Sequence, residues 1–545
     1  MSDIDLVPAP RFSRRFEGTL DLSSLSHIAA EVGFEAAGAL SALWLGRALG
    51  RAVDCVPISG KDAAGTFVAI EIDPSIASAS TAVAIGAESY ELDTREGKAV
   101  IRASGTEGAL RGASTLAQLT HAYGKSVPAI LVRDGPRFSW RGVMLDSVRN
   151  FQRVEFIEKF LDLMALHKLN RFHWHLTDDQ GWRLDIPSMP EVARLGSRRL
   201  DRRLNIPRWK EGFYSRDDVR RVVDFAGERG IVVVPEIETP GHSVALLASH
   251  PELSCRGGAE DGAPFFPEDR NGVFQEVLCA GNEAVFDFLA KVFDEVGLLF
   301  PGPWVHAGGD EVPKSRWSEC PKCRRVMKAH NLRDSGGALE PELLQGWFMD
   351  RVAALLAERG KRMVGWDEML EGRPRQDAIV MSWRGYEGGI EAARRGHDVV
   401  MSPQTRACYL DHKHLDIPEE PGQLGTCTVR DSYAFEPVPA ALDPEQVDRI
   451  LGGQANIWTE LMYFGRQIEY MAFPRLSALA EVFWSPKESR NWNDFVRRLP
   501  ALGRMLDALD VNRYRGALER PSDDGAPNRD AATEGPRAPT PVRAS

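Results

Sequence analysis

Short apolar runs alternate with longer amphipathic segments after residue 137, a pattern typical of α/β proteins. The apolar runs predict eight strands, at residues 142–146, 171–176, 231–237, 304–307, 362–366, 378–383, 398–401 and 454–458. The amphipathic segments predict helices that include residues 155–167, 217–229, 283–296, 341–359 and 389–395. Together they predict a parallel (β/α)8 TIM barrel over residues 136–485. A doubly wound sheet is the alternative architecture, although no Gly-x-Gly-x-x-Gly motif follows any of these strands.

The chain before this region predicts a separate, smaller α/β domain over residues 16–135. Two alternating segments, 88–93 and 98–104, flank a turn and predict a β-hairpin. Residues 108–119 place apolar side chains three to four positions apart and predict a helix. This domain contains no nucleophile–base pair and no metal-ligand spacing, so we expect it to support the barrel.

Three further segments complete the predicted organisation. Residues 1–15 are polar and contain proline, so we expect a flexible arm there. A closing region, residues 486–518, contains an amphipathic helix at 493–509. Residues 519–545 are rich in Pro, Ala, Asp and Gly and predict a disordered tail.

Composition narrows the class of protein. The chain has 545 residues, of which 43% are hydrophobic and 27% charged, as in an ordinary multidomain globular protein. Its net charge of −11 argues against nucleic acid or an anionic membrane as a partner. The seven cysteines have no framework spacing, and no signal peptide or membrane-spanning run is seen, so a cytoplasmic protein is expected. The 13 tryptophans offer flat apolar faces on which sugar rings stack.

Candidate chemistry centres on His306-Ala-Gly-Gly-Asp-Glu311, at the end of the fourth predicted strand. Its two glycines let the backbone bend or approach a ligand closely. Neighbouring side chains on a regular strand point to opposite faces, so Asp310 and Glu311 are expected to have different roles. The alternative for this motif alone is an N-cap, with one carboxylate accepting hydrogen bonds from the next helix.

Polar and aromatic residues also follow the other predicted strands. In a TIM barrel the carboxyl ends of the strands form the working face, so these residues are expected to meet there. They are Asp146-Ser-Val-Arg149, His173 to Arg183, Glu236 to His242, Trp366-Asp-Glu368, Trp383-Arg-Gly385, Tyr409-Leu-Asp411 and Trp458-Thr-Glu460.

These motifs resemble glycoside hydrolase family 20, the β-N-acetylhexosaminidases. The matching segments are His173-Trp-His-Leu-Thr-Asp-Asp-Gln-Gly-Trp-Arg183, Pro240-Gly-His242, His306 to Glu311, Tyr409-x-Asp411 and Trp458-x-Glu460. The predicted hairpin and helix of residues 88–119 are similar to the end of the family's N-terminal domain. The resemblance extends over residues 15–515. One departure is Asn150, since the family often has His after the arginine of the first strand.

The resemblance implies a retaining, substrate-assisted exo-glycosidase that needs no metal or cofactor and acts on amino-sugar oligosaccharides. Glu311 would then be the general acid and base, and Asp310 would orient the 2-acetamido group. The remaining implied roles are an acetamido contact for Tyr409, a pocket wall of Trp366, Trp383 and Trp458, a sugar-hydroxyl grip by Arg149, Asp411 and Glu460, and a supporting pair formed by Asp179 and His242. The sequence leaves open the choice between GlcNAc and GalNAc, the natural polymer and the oligomeric state.

Two rival functions use the same strand ends. A metal-dependent barrel hydrolase could use His173, His175 and His242 as ligands, together with His306 and Asp310. A barrel that binds amino sugars without cleaving them is the second rival.

One cysteine motif lies apart from these residues. Cys320-Pro-Lys-Cys323 lies in residues 313–339, which are expected to form a long surface loop on the leaving-group side of the site. A single Cys-x-x-Cys is half of a zinc site, and no partner pair has suitable spacing, so no metal is expected.

Overall fold

The structure is a computed structural model that describes residues 4–58, 68–79, 86–201, 208–257, 264–405 and 407–520. Eight parallel strands close into a barrel, in which the last strand pairs with the first. The strands are Trp140–Asp146, Arg171–His175, Val232–Thr239, Trp304–Gly308, Arg362–Trp366, Ile379–Ser382, Asp398–Met401 and Ile450–Ile457. The predicted TIM barrel is therefore confirmed, and the doubly wound alternative is wrong. The strand and helix periods had predicted each of these strands to within a few residues.

Helices surround the barrel and connect its strands. Between the first and fifth strands they are Val154–Leu166, Pro190–Gly196, Arg216–Gly227, Val244–Leu247, Glu283–Leu299, Ser315–Glu319, Pro321–Ala329 and Pro341–Ala357. After the fifth strand they are Glu387–Arg394, Val429–Ala434, Pro444–Val447, Gly465–Ala472, Arg475–Trp484 and Trp492–Ala508. Short 3-10 turns occur at Pro251–Leu253, Asp367–Glu371 and Lys487–Ser489. Three short strand pairs also lie outside the barrel: Thr177–Asp178 with Gly181–Trp182, Arg199–Asp201 with Arg208–Lys210, and His412–Lys413 with Gln423–Thr426. No helix in the described part of the chain is both long and apolar enough to cross a membrane.

A mixed sheet precedes the barrel. Its strands in chain order are Phe12–Asp21, His27–Ala30, Asp54–Pro57, Val68–Ile72, Tyr90–Asp93, Ala99–Ala103 and Ser126–Asp134, and they lie side by side in the order 1-7-5-6-4-2-3. Helices Glu35–Leu49 and Thr106–Tyr123 pack against each other and against the sheet, and Pro74–Ala79 is a 3-10 turn. The predicted hairpin pairs Leu92 with Ile101.

A buried charged group joins this sheet domain to the barrel. Glu88 accepts hydrogen bonds from Arg111 of its own domain and from Arg141 and Asn170 of the barrel. Burial acts to raise the pKa of Glu88, but the positive charges of Arg141 and Arg111 lower it to about 2. Arg141 lies at the start of the first barrel strand, so the contact is at the amino-terminal end of the barrel, away from the strand ends that carry the candidate chemistry.

The expectation of a flexible arm at residues 1–15 is wrong for its described part. Ile4, Leu6 and Val7 are buried, and the backbone N–H of Val7 donates to Gln118 Oε1 at 3.0 Å. From Phe12 onward the chain is an edge strand of the sheet. Three apolar side chains of this segment contribute to the core, although the polar residues around them in the sequence predicted an exposed arm.

Two other predicted segments also differ from the structure. Residues 313–339 are not one long loop, because they contain the helices Ser315–Glu319 and Pro321–Ala329, which bury Trp317 and Met327. At the C-terminus, Arg520 pairs with Asp431 at 2.7 Å, so the ordered chain extends past residue 519. The rest of the predicted tail, residues 521–545, lies outside the residues that the structure describes.

Candidate active site

A cavity of about 300 Å³ opens at the carboxyl ends of the barrel strands, at the lower end of the range for small-ligand sites, ~300–1,000 Å³. All nine residues proposed from sequence as catalytic or sugar-binding line this cavity, and His242 joins them. The structure adds three polar lining residues that the sequence did not single out. The lining residues are Arg149, His242, Asp310, Glu311, Trp366, Trp383, Gln404, Tyr409, Asp411, His412, Gln423, Trp458 and Glu460.

The two adjacent carboxylates lie beyond the fourth strand, which ends at Gly308. Gly308, Gly309 and Glu311 all have positive φ angles, of 67°, 98° and 49°. The chain therefore turns sharply, and the expectation that Asp310 and Glu311 point to opposite faces of a strand is wrong. Both carboxylates approach the same atom, His242 Nε2, at 3.7 Å and 3.6 Å respectively.

Burial distinguishes the two carboxylates instead. The Asp310 side chain is 12% exposed, whereas that of Glu311 is 42% exposed. Burial raises the pKa of Asp310 to about 6; the charges of Glu236 and Glu311 act in the same direction, and that of His242 opposes them. Asp310 is thus placed to interact with a group held deep in the cavity, and Glu311 with a group near its mouth.

Gly308 has a positive φ angle that favours glycine, and it lies against Glu238, a residue that sequence reasoning missed. A Cβ at residue 308 would lie 1.8 Å from Glu238 Oε2. Neither carboxylate oxygen of Glu238 has a hydrogen-bond partner among the described residues. Burial raises the pKa of Glu238, and the neighbouring charge of Asp310 adds to the shift. Its only sequence signal was its position at the end of the third barrel strand.

His242 connects the carboxylates to a buried acidic pair. Its Nδ1 lies 2.9 Å from Asp179 Oδ2 and 3.3 Å from Asp178 Oδ1. Burial acts to lower the pKa of His242, but the charges of Asp178 and Asp310 raise it well above the ordinary value. Asp179 Oδ1 also accepts the backbone N–H of Val244 at 3.0 Å, so it additionally binds the first turn of a helix. The structure thus brings together the two residues that the sequence paired, and adds Asp178.

Three tryptophans form the apolar wall of the cavity. Trp366 lies between Trp383 and Trp458, with ring centroids 6.5 Å and 6.2 Å away. Its indole N–H donates to Glu236 at 3.0 Å, which fixes the ring orientation. Tyr409 stacks against Trp383 at 6.5 Å with an interplanar angle of 25°, so its phenol group lies beside this wall.

Charged residues also line the cavity. Arg149 binds Asp178 at 2.7 Å, lies 3.8 Å from Glu460 Oε1, and covers the face of Trp458 at 4.9 Å. Asp411 is buried, and its Oδ1 has no hydrogen-bond partner among the described residues. Burial raises the pKa of Asp411, followed by the charge of Glu460. A sugar hydroxyl could therefore donate to Asp411 where no protein group does.

Arg149 lines the cavity although Asn150, and not the His that is frequent in the family, follows it. The Asn150 side chain donates to the Thr459 carbonyl at 2.6 Å, on the loop that leads to Glu460. Asp146 holds the same region, since its carboxylate accepts the backbone N–H groups of Arg149 and Thr459. Asn150 therefore helps to join the first and eighth strand ends.

The histidines of the metal-hydrolase alternative do not form one ligand group. His173 and His306 both bind Glu236, at 3.0 Å and 2.7 Å, and His175 binds this carboxylate too. All three are fully buried. His242 instead belongs to the group with Asp178 and Asp179, and no potential ligand group among the described residues combines it with His173 or His175. The predicted trio of His173, His175 and His242 is therefore not supported.

Known proteins are similar to this chain over both of its domains. The model of the glycosyl hydrolase family 20 catalytic domain matches residues 138–487, and that of the family's domain 2 matches residues 3–135. A β-hexosaminidase from Porphyromonas gingivalis is 40% identical over 472 residues, which cover 85% of this chain and 58% of that protein. The chain thus spans little more than half the length of that relative.

Two solved structures match most of this chain. A GH20 exo-β-N-acetylglucosaminidase from Vibrio harveyi, in complex with N-acetylglucosamine, has a TM-score of 0.82 at 30% identity, and the match covers 94% of this chain and 78% of that one. A mutant β-hexosaminidase from Streptomyces plicatus, in complex with its product GlcNAc, has a TM-score of 0.78 at 28% identity, with 94% and 97% covered.

Proposed function

The chain belongs to glycosyl hydrolase family 20, and on that premise we propose that it removes terminal N-acetyl-β-D-hexosamine, GlcNAc or GalNAc, from the non-reducing ends of oligosaccharides. The sequence prediction of a β-N-acetylhexosaminidase is confirmed at the level of enzyme class by the family match and by similar β-hexosaminidases. The observation that supports the proposal most is the pairing of a buried Asp310 with a half-exposed Glu311 in a tryptophan-lined cavity.

We propose a substrate-assisted mechanism in which the two carboxylates have separate targets. Glu311 protonates the glycosidic oxygen near the cavity mouth. The 2-acetamido carbonyl oxygen attacks C1 as the bond from C1 to the glycosidic oxygen breaks, which releases the leaving group as an alcohol and gives an oxazolinium-type intermediate. Asp310 accepts a hydrogen bond from the acetamido N–H and stabilises the positive charge that develops on this group. Glu311 then removes a proton from a water molecule that attacks C1 on the face opposite the acetamido oxygen. The bond from C1 to the acetamido oxygen breaks, which restores the 2-acetamido group and gives a product with the β configuration.

The cavity wall positions the acetamido group in this mechanism. Trp366, Trp383 and Trp458 enclose its methyl group, and the Tyr409 hydroxyl donates to its carbonyl oxygen. A nucleophile held in this way is close to its attacking geometry before the reaction begins. Asp411 and Glu460 accept hydrogen bonds from the sugar hydroxyls, and Arg149 donates hydrogen bonds to these hydroxyls. Because these contacts bind the non-reducing end of the sugar, they support exo cleavage.

Replacement of Tyr409 with Phe tests the acetamido contact. The ring and its stacking on Trp383 remain, so only the hydroxyl is lost. We expect kcat to fall by roughly 10²-fold, as for the loss of one hydrogen-bond donor to a reacting oxygen, while KM changes little. Steady-state kinetics with an aryl N-acetyl-β-glucosaminide measures this effect. Phe at Tyr463, which lies outside the cavity lining, is the matched control, and an equal loss in both variants would contradict the assigned role.

A panel of aryl glycosides tests the function as a whole. We expect release of the aryl group from the β-GlcNAc, β-GalNAc or chitobiose derivative and almost none from the β-glucoside, because the glucoside lacks the acetamido nucleophile. The ratio of the GlcNAc and GalNAc rates also determines the preferred C4 epimer. A β-glucoside cleaved as fast as the acetamido sugars would overturn the substrate-assisted mechanism, and binding of every compound without cleavage would favour the binding-only rival.

We propose a cytoplasmic location on the basis of the cysteines. None of the seven cysteines forms a disulfide in the structure, including three that are buried close together. Thiols persist in reducing compartments, and this supports the proposal that the enzyme works in the cytoplasm.

A further inference from the structure

Four cysteines from two different loops meet beside the barrel. Cys255 and Cys279 belong to the connection after the third strand, and Cys320 and Cys323 to the connection after the fourth. The sulfur atoms are 3.8 Å apart for Cys255 and Cys323, 3.8 Å for Cys279 and Cys320, and 3.7 Å for Cys279 and Cys323. All four lie within 4.8 Å of one another. The expectation that the Cys-x-x-Cys pair has no partners is therefore wrong.

These distances match a metal tetrahedron and not disulfide bonds. A disulfide brings two sulfurs to about 2.05 Å. In a tetrahedral zinc site with Zn–S bonds of about 2.3 Å, the sulfurs are separated by about 3.8 Å. The three sulfur–sulfur distances given above agree with the second value.

The surrounding backbone favours negatively charged sulfurs. Cys320 is the N-cap of helix Pro321–Ala329 and Cys323 lies in its first turn, at the positive end of the helix dipole. Cys279 Sγ also accepts a hydrogen bond from the Gly281 backbone N–H. Residue 281 must be glycine, because a Cβ there would lie 2.2 Å from the Lys322 carbonyl carbon. The two loops are therefore packed backbone against backbone around the cluster.

We propose that Cys255, Cys279, Cys320 and Cys323 bind one structural Zn²⁺ as a closed tetrathiolate site. Four protein ligands leave no open position for substrate or water, so the metal has no part in the hydrolysis. The site is separate from the histidine and carboxylate groups beneath the active-site cavity, with which it shares no residue.

The zinc holds together the loop that follows the reacting carboxylates and the loop that carries His242. One loop begins with Pro240 and His242 and reaches Cys279, and the Leu278 N–H donates to the Pro240 carbonyl at 2.9 Å. The other runs from Glu311 to Cys320, and the Trp317 indole N–H donates to the Leu278 carbonyl at 3.0 Å. Binding of the metal therefore stabilises the loop segments that flank His242 and Glu311.

Metal analysis of the full-length protein tests the site directly. The protein is purified under reducing conditions without chelator, exchanged into metal-free buffer and analysed by inductively coupled plasma mass spectrometry. We expect one zinc per chain, released to a chromogenic chelator when a mercurial blocks the thiols. Protein loaded with cobalt(II) instead should have the strong visible absorption of a tetrahedral thiolate complex.

Serine variants identify the ligands. Cys279→Ser and Cys320→Ser should lower the zinc content at least about tenfold, because each removes one of four thiolates. Cys427→Ser is the matched control, since Cys427 is buried but lies outside the cluster, and its zinc content should equal that of the wild type. Three results for the wild-type protein would overturn the proposal whatever the variants do. They are the absence of metal, iron in place of zinc, and an intact mass that is lower by the four hydrogens lost when two disulfides form.

Discussion

Glu311→Gln is expected to lower kcat for an aryl N-acetyl-β-glucosaminide by roughly 10²–10⁴-fold, the usual contribution of a general acid–base group. The amide keeps the size and hydrogen-bonding reach of the carboxyl group, so substrate binding and KM should change little. Glu311 acts in both steps of the proposed mechanism, first as acid and then as base. Steady-state and single-turnover kinetics together measure the loss in each step.

The leaving group provides a sharper test of the acid role. A dinitrophenol departs without protonation, whereas the sugar leaving group of chitobiose needs a proton. The loss in Glu311→Gln should therefore be much smaller for the first step with the dinitrophenyl glycoside than with chitobiose. Glu319→Gln is the matched control, because Glu319 is exposed and only a few residues farther along the chain. Equal losses for both substrates would contradict the assignment of Glu311 as the acid.

Asp310→Asn is expected to lower kcat/KM by roughly 10²–10³-fold, as for the loss of one electrostatic partner of a charged transition state. The amide cannot balance the positive charge on the oxazolinium nitrogen. Because burial raises the pKa of Asp310 to about 6, this residue is ionised above that pH and protonated below it. The wild-type kcat/KM should accordingly fall as the pH drops through about 6.

The pH profile of the variant separates this role from a structural one. Asp310→Asn has no ionisable group at this position, so its remaining activity should lack the decrease near pH 6. The β-glucoside, which carries no acetamido group, should be an equally poor substrate for both proteins. Asp287→Asn, at an exposed helix position, is the control. If the variant kept the wild-type pH profile, Asp310 would not be the group that titrates.

The sequence contained enough information to predict the fold and the membership of the cavity. Apolar runs of strand length alternate with amphipathic helices, and that pattern depends on local side-chain order alone. Once the strands form a parallel barrel, the residues at their carboxyl ends must share one face. Arg149, Trp366 and Tyr409 could thus be assigned to one cavity although they lie far apart in the chain.

Other features depend on contacts that no local pattern reveals. Ile4, Leu6 and Val7 are buried because the sheet domain and the closing helix surround them, and the polar residues between them concealed this. Glu238 is placed beneath Gly308 by the packing of two neighbouring strands.

The sequence by itself determined the barrel, the polar and aromatic residues that follow its eight strands, and the pair of neighbouring carboxylates. Only the tertiary structure decided how those carboxylates differ: positive φ angles at Gly308, Gly309 and Glu311 turn both toward His242, and unequal burial then separates their environments. It also decided that four cysteines, only two of which are close in sequence, form one cluster. Both outcomes depend on the close approach of loops that follow adjacent strands, a distance that sequence spacing does not encode.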